Sequence, residues 1–248
     1  MAAAAFVAVL LGAWELLVRT GGVDALLLPA PTQVLQALWE DRGLLGEDLA
    51  VTAYEVALGL TVAIAIGSAL GFGMHVFAPV RRALRPLVIG SQAVPVPVIA
   101  PLFILVLGFG LAPKVLMVAL VCFFPLAINL YDGLRDVDPD ARKLLRSFGA
   151  SRWQTLRLLE APAALPAAFT GVKVAAAVAV IGAVFAEWAG SDRGLGHTLL
   201  LANGQLETAR AFAATLLLFV LAIALYGLCS QLERRVVNWT PRSNPGGP

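Results

Sequence analysis

Four windows of this 248-residue chain, Val56–Val80, Pro86–Pro113, Val115–Tyr131 and Ala211–Leu232, contain no Asp, Glu, Lys or Arg. A helix of about 20 mainly apolar residues crosses a hydrocarbon core, and these windows approach or exceed that length. Composition agrees: 59% of residues are hydrophobic and 14% charged, against roughly 25% charged in soluble domains. The windows show no period-2 alternation, which argues against a transmembrane barrel. The chain is therefore predicted to be an all-α polytopic membrane protein. Six spans are expected, at about 2–18, 51–75, 87–107, 113–131, 164–188 and 210–232. They make one transmembrane unit over 1–237, followed by a Pro-, Gly- and Ser-rich tail, 238–248, predicted to be disordered.

The first window, Ala2–Val18, has the length of a leader's apolar core. It lacks a basic segment before it and a small-residue cleavage site after it, so it reads as a first span with its cytoplasmic flank cut short. Placing both termini in the cytoplasm puts 12 basic residues inside and 5 outside, the direction of the positive-inside tendency. Between the first two spans, Val34, Leu35, Leu38 and Trp39 form an amphipathic pattern suited to the membrane interface. Pro86, Pro95, Pro97 and Pro101 punctuate the third span. Each interior proline removes a backbone hydrogen bond, which in lipid requires cover from protein or a water-filled cavity. A bent helix lining a pathway is expected there, with Pro95 and Pro97 on it; a kinked packing helix is the plainer alternative.

Charge is gathered in one place. The 29 residues Asp132–Glu160 hold eleven of the chain's 34 charged residues. Asp138-Pro139 reads as the cap and first position of a short helix, and Gly149 as the residue after its end. Ser151 reads as the cap of a second helix, Arg152–Leu159, which ends before Pro162, with the fifth span starting at Pro166. Phe148 and Trp153 stand among Arg142, Lys143, Arg146, Arg152 and Arg157. Aromatic and Arg side chains are the usual anchors of interfaces, although such a pair could also fold back on the spans.

The run Lys143–Pro162, KLLRSFGASRWQTLRLLEAP, resembles the EAA loop of permease subunits in binding-protein-dependent ABC importers. Gly149, Leu159, Ala161 and Pro162 match the later positions of that motif, whereas Lys143, Leu144 and Leu145 replace its opening Glu-Ala-Ala. Leu28-Pro29-Ala30-Pro31-Thr32, Leu107-Gly108-Phe109-Gly110 and Gly171–Glu187 extend the resemblance to the nitrate/sulfonate/taurine-type permeases over about residues 25–235. The resemblance implies a type I importer permease fold and a cytoplasmic coupling loop, 132–163. Arg146, Phe148, Gly149, Ala150, Ser151, Arg152 and Trp153 would meet a cytosolic ABC ATPase dimer. It also implies a homodimer or paired permease in the bacterial inner membrane, served by an extracytoplasmic binding protein. No Gly-x-x-x-x-Gly-Lys-Ser/Thr run is present, so ATP hydrolysis falls to a partner and no enzyme activity is expected of this chain. Tyr54-Glu55, Gly171-Val172-Lys173, Ala186-Glu187-Trp188, Leu201-Ala202-Asn203 and Thr208 resemble the subgroup for thiamine-precursor pyrimidines and related heterocycles. Sulfonate, taurine or nitrate is the alternative solute class.

Three ionisable residues fall within spans. Glu55 and Glu187 lie near outer ends, where carboxylates can reach water, and are candidates for the translocation pathway or its outer gate. Lys173 lies where its ammonium can reach the inner interface, and at 14 residues' separation it cannot pair with Glu187. The segment Trp188–Ala209, with four glycines, reads as a mobile outer loop carrying His197 as a surface group. Cys122 and Cys229 read as small buried hydrophobes. No metal, cofactor or nucleic-acid partner is expected. An ion-coupled secondary carrier remains a competing class, disfavoured by the lack of an internal repeat; a membrane-embedded enzyme lacks any nucleophile or His/Cys/Asp cluster.

Overall fold

A computed structural model describes residues 2–24, 26–91 and 95–239, and every regular element among them is helical. In chain order these are α1 (Ala2–Arg19), α2 (Pro31–Glu40), α3 (Arg42–Val76), α4 (Ala78–Gly90) and α5 (Val96–Leu107). They are followed by α6 (Leu111–Arg135), α7 (Pro139–Ser147), α8 (Arg152–Gly190), α9 (Leu195–Gly204) and α10 (Thr208–Val236). Among the described residues α3, α6, α8 and α10 are long and apolar enough to cross a membrane. α1 has 18 residues. The predicted tail lies outside the described residues from 240 onward.

Three expectations need correction. The third span is not one helix: α4 stops at Gly90 and the 12-residue α5 starts at Val96. Pro95 cannot donate to a continuing helix, while Pro97 is tolerated in the first turn of a new one. Ser91 Oγ donates to Val88 O at 2.7 Å, closing the end of α4. Second, the island's second helix and the fifth span are continuous, so Pro166 lies inside α8 rather than at its start. The chain passes Pro162 through a π turn over Leu156–Glu160, in which the Ala161 N–H reaches Leu156 O. The wider turn moves the Leu158 carbonyl away from the proline ring that an α turn would press against it. Third, the segment expected as a loop after the fifth span contains α9, whose Leu195, Gly196, Thr198 and Ala202 are buried.

The chain divides into two compact units. The first comprises Met1–Gly59, Val96–Val118 and Val180–Ala222. Here Trp14 packs on Phe212 with ring centroids 6.1 Å apart. α2 buries Val34 and Ala37 and half-buries Leu38, while Leu35 and Trp39 of the expected apolar face are exposed. Glu15 of α1 pins its start, accepting from the Thr32 N–H at 3.1 Å and the Thr32 hydroxyl at 2.8 Å.

The second unit comprises Leu60–Pro95, Ala119–Ala179 and Ile223–Pro248. Its core joins Met74, Ala127 and Tyr131, and beside them Leu130, Leu134 and Ala164. Gly67 and Gly71, four apart on α3, let α6 close in: a Cβ at Gly67 would lie 2.6 Å from Leu126 Cβ. Lipid offers no hydrophobic drive to helix pairing, so small residues that permit close backbone approach supply dispersion contact instead. Lys173 pairs with Glu233 at 2.7 Å. Both cysteines are buried, with Cys122 Sγ donating to Ala175 O at 3.3 Å.

Candidate functional site

Local sequence caps the island's helices where it was read to do so. Asp138 caps α7, its carboxylate accepting from the Asp140 N–H at 2.8 Å, with Pro139 in the first turn. Gly149 then takes φ +84, a left-handed conformation that a side chain would disfavour. The Gly149 and Ala150 N–H groups close the helix on Arg146 O and Leu145 O. Ser151 and Gln154 form a reciprocal cap on α8, with Gln154 N to Ser151 Oγ 3.2 Å and Ser151 N to Gln154 Oε1 2.7 Å. These caps fix a tight corner on which Phe148 is 79% and Trp153 67% exposed. Arg146 and Arg152 are exposed and, among the described residues, make no side-chain hydrogen bond. Together with Trp153, Arg142, His75 and Glu160 they line a cleft of about 540 Å³. A planar aromatic between unpaired guanidinium groups suits an acidic, hydrogen-bonding partner.

In the first unit the charges do the opposite. Glu55 and Glu187, expected to reach water, are 2% and 0% exposed. Glu187 Oε1 accepts from the Thr52 hydroxyl at 2.7 Å, and its Oε2 accepts from the N–H groups of Gly196 at 2.6 Å and His197 at 3.2 Å. Asp48 accepts from the Gly194 N–H at 2.9 Å and from the Thr198 hydroxyl. The Leu195 N–H goes to Thr52 Oγ1 at 2.9 Å. The free N–H groups opening α9 are thus held by two carboxylates and a hydroxyl, the arrangement favoured by the helix dipole. Gly194 has φ +113, and a Cβ there would run into the Glu187 carboxyl. Lys114, in the first turn of α6, donates to Glu55 Oε1 at 2.7 Å and Ser191 Oγ at 2.5 Å.

Pro95 and Pro97 are exposed at the start of α5. Sequence reading missed Asp48, Thr52, Lys114 and Thr198 as members of the carboxylate cluster. A signal existed: Asp48, Thr52 and Glu55 recur at i, i+4 and i+7, one face of a helix that should otherwise be greasy. His75, which meets Glu160, lay unremarked at the end of an apolar window.

The sequence profile described as "Binding-protein-dependent transport system inner membrane component" matches residues 62–238. The chain belongs to this family. Relatives include a probable ABC transporter permease protein of Haemophilus influenzae, 36% identical over 93% of this chain and 94% of the relative. The riboflavin transport system permease RibX of Chloroflexus aurantiacus is 37% identical over 91% and 85%. The formylaminopyrimidine transport permease ThiX of Halalkalibacterium halodurans is 33% identical over 94% of each. A relative described as "Putative aliphatic sulfonates transport permease protein SsuC", of Bacillus subtilis, is 30% identical over 94% and 85%. The fold is that of type I importer permeases: the MetNI methionine ABC transporter superposes with TM-score 0.68 at 17% identity, over 79% of this chain and 97% of that one. The permease is accordingly a multi-pass inner-membrane subunit of an ABC importer, and its exposed knob and buried carboxylate cluster are to be read as parts of one.

Proposed function

We propose that this permease carries a small heterocycle, of the thiamine-precursor pyrimidine class, across the bacterial inner membrane on energy supplied by a separate cytosolic ATPase. The observation that carries the reading is the capped corner that leaves Phe148 and Trp153 exposed beside exposed Arg146 and Arg152. Burying two such aromatics would remove a large apolar area from water, so the corner is built for a partner. Arg146, Phe148, Gly149, Ala150, Ser151, Arg152 and Trp153 form the ATPase contact, and both termini are cytoplasmic with the island. Residues 1–237 act as one transmembrane unit, and two copies, or two related permeases, pair to enclose the route. A binding protein delivers solute at the opposite face. Glu187, by holding α9, and Glu55, by holding Lys114, serve the outer gate structurally rather than by touching solute, because neither side chain is open to solvent. Pro95 and Pro97, exposed where the third span breaks, flank the pathway.

The solute class follows the names of ThiX and RibX, at 33% and 37% identity; an aliphatic sulfonate is the second reading, favoured by SsuC at 30%. The acidity of Glu55, matched by Lys114 at 2.7 Å, does not discriminate between them. The test is the transporter isolated through a tag on this chain. It should bring down an ATPase whose hydrolysis is stimulated by the binding protein loaded with formylaminopyrimidine and not with taurine or an alkanesulfonate. Stimulation by the sulfonate alone would transfer the permease to the second class. Uptake that persists without any ATPase would mean an ion-coupled carrier.

A further inference from the structure

Glu160 is an acid in the last position of the π turn, 7% exposed, with both carboxylate oxygens engaged. Its Oε2 lies 2.8 Å from His75 Nε2 in the last turn of α3, and its Oε1 accepts from Arg142 Nε of α7 at 2.6 Å. Arg142 in turn donates through Nη2 to Leu134 O at 2.6 Å and Arg135 O at 3.2 Å, the carbonyls that end α6. One carboxylate therefore joins the ends of α3 and α6 to the two helices that carry Phe148 and Trp153. The other cation–acid contact on α7, Lys143 with Asp140, is exposed on both sides and soft for that reason. The π turn adds a residue without adding a turn, and so sets the angle between the Trp153 face and the rest of α8.

We infer that Glu160 is a positioning residue that makes the docking knob and the ends of α3 and α6 move as one body. Displacement of the knob then reaches two spans directly, rather than being absorbed in the loop. The inference rests on the reading of Phe148 and Trp153 as the ATPase contact. Charge-assisted hydrogen bonds in a shielded site are short and directional, which is what a stiff joint requires. An exposed loop would yield before it moved a helix.

The experiment uses the intact transporter, isolated through this chain with its ATPase, carrying spin labels at Ser147 of α7 and Phe77 just past α3. In the native permease the label separation should stay the same when ATP is added. In Glu160→Gln, which keeps the side chain's size but not its charge, the separation should shift or broaden on ATP. The ATPase should remain bound, and hydrolysis should continue while its stimulation by the binding protein falls roughly tenfold, the range expected of a coupling residue. An unchanged separation with native stimulation would overturn the inference, as would loss of the ATPase, which would make Glu160 part of the docking surface. If native permease binds no ATPase, the docking reading itself fails, and the joint with it. His75→Ala frees α3 while leaving Arg142 on Glu160; it decides by the same labels if the first variant does not fold.

Discussion

The carboxylate cluster around α9 and the basic corner around Trp153 use similar residue types to opposite ends. Asp48, Glu55 and Glu187 are buried, and their donors come from α6, from α9 and from α3 itself. Arg146 and Arg152 are exposed and, among the described residues, unpaired, and their neighbours are exposed aromatics. Buried charges that lose a partner are costly, whereas exposed charges contribute little to stability. The first set therefore holds the protein's own elements together, and the second is kept for something outside it. The comparison predicts that substitutions in the cluster unfold or loosen the permease, while those in the corner leave it folded and idle.

The largest effect should come from Glu187→Ala. It strands the Thr52 hydroxyl and the N–H groups of Gly196 and His197, and should destabilise by about 3–5 kcal/mol. Thermal unfolding in detergent reads this, and a loss below about 1 kcal/mol would mean that water replaces the carboxylate. Gly194→Ala comes next, at about 1–3 kcal/mol, because the new methyl meets both the Glu187 carboxyl and a disfavoured backbone conformation. Thr198→Val removes one hydroxyl from Asp48, which keeps the Gly194 N–H, and should cost about 0.5–1.5 kcal/mol. Lys143→Ala breaks only an exposed pair with Asp140 and should change stability by less than about 0.5 kcal/mol. A cost for Lys143→Ala equal to that of Thr198→Val would erase the distinction between the two regions.

Much of this was legible in the sequence. Apolar windows announced helices in a membrane, and Asp138, Gly149 and Ser151 announced the island's two caps, because capping depends on residues within four positions of one another. Pro95 and Pro97 announced an interruption, though not that α4 and α5 would separate at it. Pro162 misled in the other direction. A proline usually ends a helix, but α8 runs on past Pro162 through a π turn. The carboxylate cluster was hidden for a different reason. Glu187 and Thr52 are 135 residues apart and Asp48 and Thr198 are 150 apart, so their pairing is a product of tertiary packing that no local pattern encodes. Read singly, Glu55 and Glu187 sat near helix ends and looked free to reach water.

The central claim is that the corner of Phe148 and Trp153 is where a cytosolic motor bears on the permease. A photoreactive amino acid in place of Trp153, illuminated in cells, tests it directly, with the same group at exposed Leu206 as the comparison. A crosslink to an ABC ATPase from position 153 and none from 206 is the predicted result. A crosslink from 206 instead, or labelling of position 153 by a reagent confined to the outside of the inner membrane, would contradict it.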